Sequence, residues 1–92
     1  TRTVALPLPF TTAQRVVDSI VTALTPQTKL VIVSHITSPT AVILPVKEIC
    51  TALHAHGVAV AIDGPHAIAQ IPLALDELNC DYYCASLHKW LC

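Results

Sequence analysis

Val58-Ala59-Val60-Ala61-Ile62-Asp63-Gly64-Pro65-His66 decides the fold. The apolar run Val58–Ile62 is short and lies between Gly57 and Gly64, so it reads as a buried strand. The strand carries Asp63 to its carboxyl end, where Gly64-Pro65 turns the chain away. An unpaired carboxylate there would be costly to bury, so a cationic partner or an N-cap role for the following segment is expected.

The same pattern repeats outward. Upstream, Leu30-Val31-Ile32-Val33, within 28–34, is a second buried strand, and the polar loop Ser34-His35-Ile36-Thr37-Ser38-Pro39-Thr40 follows it. Between the two strands, Val46, Ile49, Cys50 and Leu53 form an apolar stripe after Pro45, which predicts a helix over 45–56 ending at Gly57. Earlier still, Thr11-Thr12-Ala13-Gln14 resembles a capping box with Thr11 as N-cap. Val16, Val17, Ile20, Val21 and Leu24 continue it as a helix over 12–24, stopped by Pro26. A short first strand is expected at 2–6. Downstream, a brief helical or irregular segment runs to Gln70, one turn covers 75–78, and a buried strand over 81–86 ends at His88-Lys89.

Strand and helix alternate, so the expected class is α/β: a mostly parallel sheet with helices on its faces. Parallel strands put the loops 34–40, 63–66 and 86–89 at one sheet edge, where ligands collect in such folds. With 92 residues, 53% of them hydrophobic and 12% charged, the chain suits one small domain with a real core. A net charge of −1 favours neither nucleic acid nor an anionic membrane. No apolar run reaches membrane-span length. Thr1 stands where a translation start would have Met, and an isolated parallel sheet would have open edges. Residues 1–92 are therefore expected to be a partial domain completed by further chain or by a partner.

Cys50, Cys80, Cys84 and Cys92 read as reduced, mostly buried thiols, in keeping with a cytoplasmic setting. On one helix, Cys80, Cys84, His88 and Cys92 would form a soft metal face. A single straight helix cannot wrap four ligands tetrahedrally around zinc, so no metal site is assigned. His54 and His56 fall near a helix end, as solvated or dipole-facing residues. Lys89 has His88 and Trp90 beside it rather than charge. In such apolar company its amine could be made nucleophilic, and the competing reading is an ordinary surface lysine.

Asp63-Gly64-Pro65-His66-Ala67, then Asp81-Tyr82-Tyr83, then Ser86-Leu87-His88-Lys89-Trp90-Leu91 resembles the pyridoxal-phosphate segment of class V aminotransferases. That family includes cysteine desulfurases, isopenicillin N epimerase-like proteins and kynureninases. Ser34 to Ala41, followed by Leu44-Pro45-Val46, is similar to the upstream loop of the epimerase-like branch. The resemblance spans nearly the whole chain in order and implies a fragment of the family's large domain.

It also implies roles. Lys89 would form the Schiff base with pyridoxal 5'-phosphate and move the substrate α-proton. Asp63 would pair with the pyridinium nitrogen and keep the ring an electron sink. His66 would hydrogen-bond the phenolic oxygen, and Ser86 and His88 would bind the phosphate. Ser38 stands where many relatives carry an asparagine near the ring. The family's phosphate-binding turn and ring-stacking group precede this segment, and the desulfurases' catalytic cysteine follows the lysine. None of the four cysteines here inherits that role. An amino-acid substrate and a homodimer are implied. The alternative is a non-catalytic α/β fragment or self-associating module without cofactor.

Overall fold

The computed structural model describes residues 1–6, 9 and 12–90. Its elements are α1 (Ala13–Thr22), β1 (Leu30–Ser34), α2 (Val46–Ala55), β2 (Ala59–Asp63), α3 (Leu75–Leu78) and β3 (Tyr82–Cys84), then a 3₁₀ turn at Leu87–Lys89. The strands form one sheet in the order β1-β2-β3, and both pairings are parallel. The register runs Ile32 opposite Ala61 opposite Tyr82, and Ser34 opposite Asp63 opposite Cys84.

The helices form where spacing and capping agree. Thr12 starts α1: its Oγ1 accepts the Arg15 backbone N–H at 3.3 Å. Thr11, the expected cap, lies outside the described residues, and Gln14 bonds forward to Asp18 at 2.8 Å rather than back. Val16, Val17 and Ile20 are the buried face of α1. Pro45 caps α2 instead of opening it, one residue from its expected place. The far end of α2 closes as a Schellman motif. Val58 N–H bonds Leu53 O at 3.1 Å and Gly57 N–H bonds His54 O at 2.9 Å, with Gly57 at φ +68°.

The core lies between the helices and one sheet face. Ile49, Cys50 and Leu53 from α2 meet Val60 and Ile62 from β2, with α1 packed against α2. These side chains are essentially sealed from water, which supplies about 1.5–3 kcal/mol for each large aliphatic group. Alternation sends Leu30, Ile32 and Tyr82 to the other face, where they are exposed, Ile32 by 70%.

Three expectations need correction. Residues 2–6 form no strand. Leu6 packs on the core and Arg2 Nη1 reaches Ala23 O at 3.4 Å, so this stretch is held by side chains rather than by a ladder. The strand expected over 81–86 is only 82–84 and is not buried: Tyr82 and Cys84 are exposed, and Tyr83 alone turns toward the helices. It is an edge strand, so only one side is laddered. Among the cysteines, Cys50 is buried, Cys80 half-buried and Cys84 exposed, all three free. Cys92 lies outside the described residues.

Candidate functional site

Strand polarity brings three loops to the carboxyl edge, and backbone bonds tie them together. His35 N–H, just past β1, donates to Asp63 O at 2.9 Å. Gly64 N–H donates to Cys84 O at 2.8 Å. Trp90 Nε1 donates to Pro65 O at 2.7 Å and so fastens the 86–90 turn to the 63–66 turn, the two clusters that hold most of the candidate site.

Asp63 ends β2 with its side chain exposed, so the burial cost expected for it does not arise: the strand end lies open at the sheet edge. His66 is half-buried in the turn that follows, where Ala67 N–H bonds Gly64 O at 3.1 Å. Ser86, half-buried, opens the 3₁₀ turn, and its carbonyl accepts Lys89 N–H at 3.3 Å. Leu87, His88, Lys89 and Trp90 are all exposed. Lys89 is thus not buried among its apolar sequence neighbours: Leu87 is exposed beside it and Trp90 is turned back onto Pro65.

Ser38 sits at the exposed tip of a folded loop, where it makes no hydrogen bond to the other two loops among the described residues. That loop is firmly built. Thr37 Oγ1 accepts Val42 N–H at 2.9 Å and meets Thr40 Oγ1 at 2.6 Å, and Ile36 bridges Ile43. Ala41 takes φ +51° to close it. Cys80, Cys84 and His88 share no helix, since strand and 3₁₀ turn replace one. The described residues hold no cluster of three metal-binding side chains.

A pair that no local sequence pattern marks, buried His35 and half-buried Tyr83, lies behind this edge. His35 is 5% exposed, and its Nδ1 lies 3.0 Å from Tyr83 Oη, the rings meeting edge-on. Burial pushes the His35 imidazole down and the Tyr83 phenol up. The charges of Cys80 and Asp63 add to the rise at Tyr83. The signals were faint: one histidine next to an apolar run, and one tyrosine on the inward beat of β3. A cleft of about 830 Å³ lies elsewhere, between residues 1–6, the end of α1 and β1, with Leu6, Ile20, Leu24 and Val31 in its walls. None of the candidate residues lines it.

The family described as aminotransferase class-V matches residues 4–92. The chain is 41% identical over 91 residues to isopenicillin N epimerase of Streptomyces clavuligerus, covering 98% of this chain and 23% of that protein. The same enzyme of Amycolatopsis lactamdurans is 38% identical over 91 residues, with the same coverage. L-cysteine desulfhydrase of Arabidopsis thaliana is 40% identical over 63 residues, covering 67% of this chain and 14% of that protein. The chain thus spans about a quarter of the length of the two epimerases it matches.

Proposed function

We propose, on the premise that this chain belongs to the class-V aminotransferase family, that it is the cofactor-holding segment of a pyridoxal-phosphate-dependent enzyme acting on an amino acid. One observation carries the reading most: the Trp90–Pro65 bond joins the turn bearing Lys89 to the turn bearing Asp63, at the carboxyl edge of parallel strands.

The donor set fits the cofactor's chemistry. The cofactor offers an aldehyde, a phosphate, a ring nitrogen and a phenolic oxygen. The edge offers one amine, one carboxylate, two imidazoles and a hydroxyl, and the carboxylate and amine face solvent. When bound, the cofactor supplies an electron sink for negative charge at the substrate α-carbon. Asp63 would hold the proton on the ring nitrogen and keep that sink cationic. His66 would donate to the phenolic oxygen, and Ser86 Oγ and His88 would grip the phosphate. Ser38 is placed near the ring in this reading. Lys89 Nζ would hold the cofactor through its aldehyde carbon and later carry the substrate α-proton. The names of the relatives support epimerisation or breakdown of an amino acid as the reaction class, and the family resemblance implies a homodimer of the whole protein.

Borohydride reduction in the presence of pyridoxal phosphate, followed by peptide mass mapping, tests this. The label is expected on Lys89 and is lost in Lys89→Ala. A label shared evenly with Lys29 and Lys47, or unchanged in Lys89→Ala, refutes the reading and leaves a non-catalytic α/β segment.

A further inference from the structure

We infer that the part-buried His35–Tyr83 pair is a positioning device for the backbone that carries the Asp63 carboxylate. The inference rests on the reading of Asp63 as the partner of the cofactor's ring nitrogen. The peptide between Asp63 and Gly64 is gripped from three sides. Its carbonyl takes His35 N–H from the β1 loop, and its own N–H goes to Cys84 O in β3. The Tyr83 ring lies against Gly64 so closely that a Cβ there would overlap its Cε1, Cζ and Oη. The ring is in turn pinned by His35 Nδ1 at its hydroxyl. His35 itself is fixed on its other side, its carbonyl accepting Leu44 N–H at 2.9 Å.

Rotation of the Asp63 turn would therefore drive Gly64 into a tyrosine ring that is held at its hydroxyl. A carboxylate on an exposed strand end otherwise has freedom to swing. The pair fixes the backbone from which the carboxylate extends, so only its side-chain torsions stay free to meet a ligand. Tyr83 and His35 do not need to touch the cofactor; they act through Asp63.

Tyr83→Phe keeps the ring and removes the hydroxyl, so the fold stays in place while the pin is lost. In the cofactor-free chain, Gly64 amide exchange is expected to rise about fivefold, the worth of one neutral hydrogen bond, with α2 amides unchanged. With pyridoxal phosphate added, binding weakens by a similar factor and the pH midpoint of the bound cofactor's absorbance moves. Combined with Asp63→Asn, the Tyr83→Phe change adds nothing further. His35→Gln, which can still meet the hydroxyl, retains most of the wild-type behaviour.

Gly64 exchange at the wild-type rate overturns the inference, as does an equal rise throughout α2 or full additivity with Asp63→Asn. A wild-type chain that takes no label on Lys89 refutes the cofactor reading instead, and the exchange rates still decide whether the pair holds the turn.

Discussion

Two residues of the site edge are set by backbone geometry rather than by side-chain chemistry. Gly64 leaves its Cβ space to the Tyr83 ring, so Gly64→Ala must displace that ring or the turn. The expected loss is about 1–3 kcal/mol, typical of overpacking, and a urea midpoint equal to wild type would refute it. Ala41 is the reverse case. It holds φ +51° with a Cβ that disfavours that region, kept there by its N–H bond to Thr37 O at 2.8 Å and by the Thr37–Thr40 contact. Ala41→Gly relieves about 1–2 kcal/mol of steric cost and gives back about 0.4–1 kcal/mol through a freer unfolded chain. A small net gain in melting temperature is expected. The glycine turn after Asp63 was legible in the sequence because Gly-Pro announces itself. The left-handed bend at Ala41 was not, because nothing about an alanine signals it.

At the scale of elements, a second knot ties the opposite edge of the sheet. Asp81 Oδ2 accepts Val60 N–H at 2.7 Å and His54 Nε2–H at 2.9 Å, joining the entry of β3 to β2 and to the last turn of α2. The His54 hydrogen bond, then the Val60 N–H, holds the Asp81 carboxyl below its ordinary range. A depressed folded pKa means that the contribution is complete above the unfolded value and is lost as pH falls through the folded one. Asp81→Asn should therefore lower the melting temperature near neutral pH, with the gap from wild type closing as pH drops below about 4. A gap that persists in acid would show that the knot acts by shape alone. The group is exposed, so added salt should narrow the gap as well.

This knot also marks how far sequence reading reached. The helices α1 and α2 and the strands β1 and β2 follow from local spacing and apolar runs, and they stand within a residue or two of expectation. Contacts between distant residues have no such local trace: His54 with Asp81 is one, and His35 with Tyr83, 48 positions apart, is another. The 2–6 stretch has the composition of a strand but lacks a ladder to join. That the turns 63–66 and 86–89 share one sheet edge was legible, because parallel polarity alone dictates it. The exposure of Asp63, His88 and Lys89 was not, because apolar neighbours in sequence need not be neighbours in space.

Among the described residues, the sheet is covered on one side. Leu53 is fully buried against β2 and α1, whereas Ile32, of the same size and on the central row of the register, is 70% exposed. That asymmetry sets up a direct comparison. Leu53→Ala removes buried methyl groups and leaves a cavity, so it should cost about 2–5 kcal/mol in denaturant unfolding. Ile32→Ala removes groups already in water and should fall within about 0.5 kcal/mol of wild type. The two measurements belong at several protein concentrations. If the bare face stays bare, the small Ile32→Ala effect is the same at every dilution. If a second copy covers Leu30, Ile32 and Tyr82, the Ile32→Ala cost grows with concentration and the wild-type melting temperature rises with it. Leu53→Ala serves as the internal standard, because its cavity lies inside a single copy and its cost should not depend on association.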